Sequence, residues 1–249
     1  MLSKMKDIAS VKDKRVVLLQ SGGLDSCFMA TYLSYLGFTI HHLYVDYGQK
    51  SREKELIAAY KIVERVGGKL HCVKLDMPWL ENSTVLVDDN TDIGVYDVPI
   101  KFGCVEAKTY VPLRNHVLLS IAGSLAESLG IQYIASGLDG HQNIFGIPTS
   151  GTPDKHKKFA EKLEKSISEG STLYHIEHKP IKIIAPIIGS SKEHTIKFGT
   201  DVLNVHWEDS WTCYNNKEKP CGVCCACVDR LEHFKNAGVV DPTEYLSKD

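Results

Sequence analysis

The sequence predicts an α/β fold, a parallel five-stranded sheet flanked by helices, with a small cysteine-rich appendage at the C-terminal end. Three observations carry this reading. Short aliphatic runs alternate with helical periodicities, a glycine-rich turn joins the first run to the first helix, and five of the eight cysteines crowd into residues 213–227.

Arg15 to Gln20 (RVVLLQ) is an aliphatic, β-branched run ending in glycine punctuation, which predicts the first strand. Leu24, Phe28, Tyr32, Leu33 and Leu36 then recur at helical spacing up to Gly37. Phe38 to Val45 reads as the second strand, Ser51 to Val66 as a helix with Leu56, Ala59, Tyr60, Val63 and Val66 on one face, and Lys69 to Leu75 as the third strand. Residues 78–108 break this pattern with a polar, Asp-rich stretch too long for an ordinary connection, an active-site lid or a plain surface loop. Asn115 to Leu129 resumes as a helix, and Ile131 to Ser136 and Ile181 to Ile184 complete about five strands. Within the insertion between them, Asp154 to Glu169 reads as a charged helix with Thr152 at its N-cap, Pro153 at its first position and Gly170 past its end. His175 and His178 read as surface histidines on an extended segment. The domain expectation is one large α/β unit over 1–207 and a small cysteine-rich tail over 208–249.

The chain has 249 residues, 43% hydrophobic and 24% charged, enough to bury a substantial core. Its 29 basic against 31 acidic residues give a net charge of −2, without the basic footprint of a nucleic-acid-binding domain. No run approaches the roughly 18 apolar residues of a membrane span, and the first twenty residues lack a secretory apolar core, so a cytoplasmic protein is expected.

Ser21-Gly22-Gly23-Leu24-Asp25-Ser26 sits between the first strand and the first helix, where backbone amides and the positive helix end suit an anion. Two glycines allow close backbone approach, and the serine hydroxyls add donors. A Walker lysine is missing, and Asp25 beside a polyphosphate calls for a cation, for which Mg²⁺ is the expectation. Cys213, Cys221, Cys224 and Cys227 follow C-x7-C-x2-C-x2-C, a spacing that can close a tetrahedral thiolate site. Zinc is preferred over an iron–sulfur cluster or a redox pair, and Cys224 over Cys225 for its even spacing.

The hexapeptide resembles the signature of the ATP pyrophosphatase (PP-loop) superfamily. That resemblance implies a Rossmann-like, adenine nucleotide alpha hydrolase-like sheet that binds ATP over its end, with transfer of AMP to a substrate oxygen and release of pyrophosphate. Within that superfamily, five further stretches resemble the 7-cyano-7-deazaguanine synthase family over about Val16 to Arg230. They are Asp46-Tyr47-Gly48-Gln49, Tyr110-Val111-Pro112-Leu113-Arg114-Asn115, Ser150-Gly151-Thr152-Pro153-Asp154 with Phe159, Pro186 with Lys192, and Trp211-Thr212-Cys213-Tyr214 with the later cysteines. The chain departs from the family pattern at Leu113, where the family has Gly, at Thr152, where it has Tyr, and at Lys155 and His156, where it has Cys and Arg. The connection from Gly137 to Ser150 is also longer, with Asp139 its nearest acidic residue for a purine-like edge.

The resemblance implies ATP contacts at Gln20, Ser21, Gly22, Gly23, Leu24, Asp25, Ser26 and Val45, and catalytic roles for Asp25, Arg114 and Lys192. It implies substrate contacts at Tyr47, Gln49, Arg114, Asn115, Asp139 and Asp154, and zinc on Cys213, Cys221, Cys224 and Cys227. The implied reaction, a step in queuosine biosynthesis, is ATP-dependent activation of the carboxylate of 7-carboxy-7-deazaguanine and ligation to ammonia, giving the nitrile through the amide. A second reading delivers the activated acyl group to another amine, such as a protein amino group, since relatives occur in antiviral defence systems. A tRNA-modifying enzyme and an inactive nucleotide-binding scaffold are weaker readings, and a homodimer is left open.

Overall fold

A computed structural model describes residues 2–81, 83–87, 93, 109–142, 148–150 and 152–246. The parallel sheet is built from β1 (Arg15–Leu19), β2 (Thr39–Asp46), β3 (Lys69–Lys74), β4 (Tyr133–Ala135) and, late in the chain, β7 (Lys182–Ile184), in the order β3-β2-β1-β4-β7. After β1 the chain winds outward through β2 and β3, then crosses to β4 and β7 on the other side. β1 is therefore the topological switch point, and the crevice beyond its carboxyl end is where such sheets place ligands.

Strand alternation sorts the core into two layers. Val16 and Leu18 point to one face and pack with Phe28, Met29 and Leu33 of α2 (Leu24–Tyr35) and Ile62 of α3 (Arg52–Val66). Val17 points to the other, with Leu43, Ile131 and Ile134, against Leu119 and Ala122 of α4 (Arg114–Ser128) and Leu163 of α5 (Lys157–Glu169). Strands buried on both faces read as unbroken aliphatic runs, which is why β1 was legible from its sequence.

The cysteine-rich end joins the first layer. Phe234 of α8 (Cys225–Ala237) meets Trp207 edge-on, with ring centroids 5.8 Å apart, and Ile196 of α7 (Lys192–Asp201) packs in the same cluster. The Arg230 guanidinium, almost fully buried, donates to the Trp207 carbonyl, the Ser210 and Thr212 hydroxyls and the Asp241 carboxylate. These bonds tie the last helix to the segment entering the cysteine cluster.

Two local expectations need correction. The helix expected over 154–169 starts at Lys157, because Pro153–Lys155 forms a separate 3-10 turn and His156 takes the N-cap. The proline starts that short turn, and the extended backbone at His156 (φ −91°, ψ 156°) divides it from the long helix. His175 and His178 do not lie on an extended segment. Thr172–Glu177 is a helix (α6), in which Thr172 is fixed by the Glu127 carboxylate, and His178 ends it in the left-handed region at φ 55°. Sequence reading also passed over α1 (Leu2–Ala9), α7, α8 and a two-stranded antiparallel pair, β5 (His141–Gln142) with β6 (Pro148–Ser150).

Of the stretch read as a lid, residues 82, 88–92 and 94–108 lie outside the described residues, as does Gly151 of the Ser150–Asp154 motif. Its described part is a 3-10 turn, Pro78–Leu80, followed by further turns. Leu80, Leu86 and Ile93 are buried in a third cluster with Tyr47, Val111 and the four cysteines.

Candidate active site

At the carboxyl ends of β1, β2 and β4 lies a cavity of about 390 Å³. Its floor is the turn between β1 and α2. Gly22 has φ 75°, and a Cβ there would run into the Glu55 carbonyl oxygen of α3, so glycine alone fits. The Leu24, Asp25 and Ser26 amides precede the first intrahelical bond, Cys27 N–H to the Gly23 carbonyl, and lie at the positive end of a 12-residue helix. The Ser26 hydroxyl donates to the Gly23 carbonyl at 2.9 Å and accepts from Gln20 Nε2 at 3.1 Å. Gln20 Oε1 pairs in turn with Nδ1 of His42, whose pKa burial pushes down to about 4. Gln20 is thus a buried strut beneath the loop. Ser21, Gly23, Leu24, Asp25 and Val45 line the cavity with it, and Gly22 shapes the turn from behind.

Four charged side chains form one wall. Lys192, at the start of α7, places its ammonium group 2.5 and 2.6 Å from the two Asp25 oxygens and 2.9 Å from Asp139, whose other oxygen is 3.0 Å from Lys155. A cation in the first turn of a helix opposes the helix dipole, so Asp25 and Asp139 must hold Lys192 there. Burial alone would lower the Lys192 pKa, but the two carboxylates raise it above its ordinary value. Lys192 and Lys155 overcome burial at Asp139 and hold its carboxyl far below the usual range, whereas burial pushes Asp25 up. A Cβ at Gly137 would stand 2.6 Å from Asp25 Cβ, so the segment after β4 approaches the loop only as glycine.

The opposite wall carries Tyr47, Gln49, Glu55, Arg114 and Asn115. Arg114 Nη1 donates to the Tyr47 hydroxyl at 3.1 Å, and Tyr47 first of all keeps the guanidinium firmly protonated. Gln49 braces this arrangement. Its Oε1 accepts from Tyr47 N–H at 2.9 Å, and its Nε2 donates to Glu55 at 2.9 Å and to the Tyr44 hydroxyl at 3.2 Å. Glu55, also bonded to Ser51 at 2.6 Å, was missed from sequence because the packed face was read as Leu56, Ala59, Tyr60, Val63 and Val66, whereas α3 buries Ala58, Ala59 and Ile62, in phase with Glu55, and leaves Tyr60 exposed. A carboxylate in an apolar stripe was the available signal, and burial raises its pKa.

Among the described residues lining the cavity, Asp154 does not appear. It is buried, accepts from Asn115 N–H at 3.0 Å and from the Thr152 hydroxyl, and so caps α4, whose own N-cap residue offers no side-chain bond. That N-cap is Leu113, at φ 51° and ψ 25°, so the backbone keeps a left-handed conformation without glycine.

The cysteine-rich end supplies the third side of the cavity through Trp211, Thr212, Tyr214, Asp229 and His233, and Trp211 N–H donates to the Gly22 carbonyl at 2.8 Å. Behind them Cys213, Cys221, Cys224 and Cys227, all buried, bring their sulfurs within 4.8 Å of one another. Sulfur separations of 3.6, 3.9 and 4.0 Å bracket the roughly 3.8 Å edge of a tetrahedron with metal–sulfur bonds of about 2.3 Å. Backbone amides of Asn215, Cys221 and Cys224 point at these sulfurs from 3.3 to 3.4 Å. Four thiolates of this geometry suit zinc, and Cys225 is not part of the set.

The family model described as "Queuosine biosynthesis protein QueC" matches residues 15–238. A protein of Acetivibrio thermocellus named 7-cyano-7-deazaguanine synthase is 36% identical over 239 residues, covering 94% of this chain and 99% of that protein. Proteins of the same name from Clostridium kluyveri and Methanobrevibacter smithii are each 34% identical over 238 residues, covering 93% of this chain and 98% of theirs. With the glycine loop after β1, the charged wall and the four-cysteine set all inside the matched region, the chain belongs to the QueC family.

Proposed function

We propose that this chain is a 7-cyano-7-deazaguanine synthase, an ATP-dependent, AMP-forming C–N ligase acting on 7-carboxy-7-deazaguanine and ammonia. The observation that carries the reading is the full-length similarity to proteins of that name, joined to one cavity that presents a phosphate loop and separate cationic walls. The carboxylate oxygen attacks the α-phosphorus of ATP, and pyrophosphate leaves. Ammonia displaces AMP from the acyl adenylate to give the amide, whose oxygen is adenylylated by a second ATP before AMP and a proton depart to leave the nitrile. Carboxylate oxygen is a poor leaving group and AMP a good one, which is why activation comes first.

In this reading residues 1–207 form the catalytic unit and 208–249 its metal-bound tail. The amides of Leu24, Asp25 and Ser26, with the hydroxyl of Ser21, hold phosphate oxygens. Asp25 is the carboxylate for a divalent cation such as Mg²⁺, which balances polyphosphate charge when bound. Lys192, released from Asp25, faces the phosphates as a point charge, and Arg114 stabilises charge that grows during adenylyl transfer. Tyr47 and Asn115 border the acceptor. Gln49 and Asp154 act through others, Gln49 by fixing Tyr47 and Asp154 by fixing the start of α4. The cysteine set holds zinc with no open coordination position, so its part is structural.

The test is mass spectrometry of products from purified protein, 7-carboxy-7-deazaguanine, Mg-ATP and ammonia, scoring AMP, amide and nitrile together. Nitrile with AMP is expected. AMP with amide as the end product would reassign the enzyme to a different acceptor, and no AMP would remove the reading.

A further inference from the structure

Any enzyme that adenylylates a carboxylate must seat two anions side by side, the polyphosphate and the carboxylate itself. The cations on the cavity wall are therefore worth sorting by what already engages them. Arg230 is spent, since every bonding nitrogen of its guanidinium points at Asp241, Ser210, Thr212 or the Trp207 carbonyl. His233 pairs with Glu193 at 2.7 Å. Lys192 lies against Asp25 of the phosphate loop and so belongs to the nucleotide side. Lys155 is one carboxylate further from that loop, on the far oxygen of Asp139, and its side chain is 30% exposed.

The turn that carries Lys155 is built to hold it there. Lys155 N–H donates to the Thr152 carbonyl, and the Lys155 carbonyl accepts from Gly140 N–H. A Cβ at Gly140 would stand 2.6 Å from that same carbonyl oxygen, so the close approach depends on glycine. Asp154, the preceding residue, is bonded to Asn115 N–H, which fixes the turn to the helix start that carries Arg114. Lys155 and Arg114 are thus mounted on one rigid joint and both face the cavity. With Lys192 satisfied on one oxygen of Asp139 and Lys155 on the other, the Asp25, Lys192, Asp139 and Lys155 chain is formally neutral. Once Asp25 turns to a cation arriving with the nucleotide, the remaining trio carries one net positive charge toward the acceptor.

We propose that Lys155 is a specificity-determining residue that receives the substrate carboxylate before its adenylylation. This rests on the ligase reading above, and it assigns the ammonium group of Lys155 to the acid and not to its amide. A charge-assisted hydrogen bond lost from the acid alone changes its binding by about 10- to 100-fold.

The experiment compares wild type and Lys155→Gln for binding and conversion of 7-carboxy-7-deazaguanine and of the corresponding neutral amide, with ATP affinity measured in parallel. The expected result is a 10- to 100-fold fall in the acid-to-amide ratio of kcat/KM, carried by KM, and its partial recovery in Lys155→Arg. An unchanged ratio, with wild type active on both compounds, would overturn this assignment and leave the ligase reading standing. An equal loss of ATP affinity would move Lys155 to the nucleotide side and overturn it as well. A wild-type protein that neither binds nor converts either compound would overturn both. Thermal melting of each variant separates these outcomes from misfolding, and the arginine variant retains the charge if the glutamine variant fails to fold.

Discussion

Replacing Gly22 with alanine sets a methyl group between the phosphate loop and α3. At φ 75° an L-residue is strained, by about 1–2 kcal/mol on the usual scale for the left-handed region. The new Cβ also runs into the Glu55 carbonyl oxygen and stands 3.1 Å from both Ala58 Cβ and Ala59 N, so backbone must move. Forcing a methyl group into packed backbone adds about 1–3 kcal/mol. Together these give a loss of about 2–5 kcal/mol, which for a chain of this size lowers the melting temperature by roughly 4–20 °C. The effect should spread, because the Gly22 carbonyl accepts from Trp211 N–H. Gly23→Ala is the matched control. Gly23 has φ −78°, and its Cβ would meet only Ser21 Oγ at 3.3 Å and the Trp211 carbonyl at 3.8 Å, so its stability should fall by less than about 1 kcal/mol. Differential scanning calorimetry of the two variants checks the contrast. A Gly22→Ala protein melting within about 2 °C of wild type would falsify the claim that the loop is wedged against α3.

Three other outcomes are expected. Asp25→Ala should abolish AMP formation while leaving the melting temperature close to wild type, and normal AMP release from that variant would remove Asp25 from the mechanism. Cys221→Ser should lose zinc, measured by elemental analysis, and precipitate, whereas Cys225→Ser should retain one metal per chain because Cys225 lies outside the four-sulfur set. Asp241→Ala leaves the buried Arg230 without its carboxylate and should cost about 3–5 kcal/mol, read by chemical denaturation. Asp241 has its pKa lowered in the folded chain, against the pull of burial, by Arg230. Its contribution is therefore fully present above the unfolded carboxyl value and disappears as pH falls through the folded one, so the stability gap between wild type and variant should begin to narrow only below about pH 4 and keep narrowing as the pH is lowered further.

The sheet was legible because its physics is local. RVVLL is a largely apolar run buried on both faces, and the glycines, serines and aspartate after it stand together where a strand meets a helix start. The helix starting near residue 114 was legible for the same reason, from Leu119, Ala122 and Ala126 on one side. Failures came where a long-range contact outweighed the local signal. Thr152-Pro153-Asp154 has the composition of a helix start, yet the Asp154 carboxylate caps α4, 39 residues earlier in the chain, and its own long helix begins only at Lys157. No local rule could reveal that partner. Leu113 is a related case, since sequence statistics would ask for glycine at φ 51°. The adjoining joint between Asn115 and Asp154 fixes the helix start that follows it, and the strained residue can persist when its surroundings over-determine the backbone.

The charged wall shows the same division between residues and arrangement. Asp25, Asp139 and Lys192 could be nominated singly from sequence, but their pairing could not, because 167 and 53 positions separate Lys192 from its two partners. Glu55 shows what was recoverable. A carboxylate on the buried face of α3 signals its own importance, since an unpaired charge there is costly and must have partners. Those partners turn out to be Ser51 and Gln49, and through Gln49 the Tyr47 amide. Arg114 meets the hydroxyl of that same tyrosine, so the family-like Asp46 to Gln49 segment and Arg114 act as one unit. If that coupling holds, Glu55→Gln should retain Ser51 and Gln49 contacts in part and weaken activity modestly. Glu55→Leu should strand the Gln49 amide and lower kcat at nearly unchanged ATP affinity, because the phosphate loop contacts Glu55 through its backbone carbonyl and not its carboxylate.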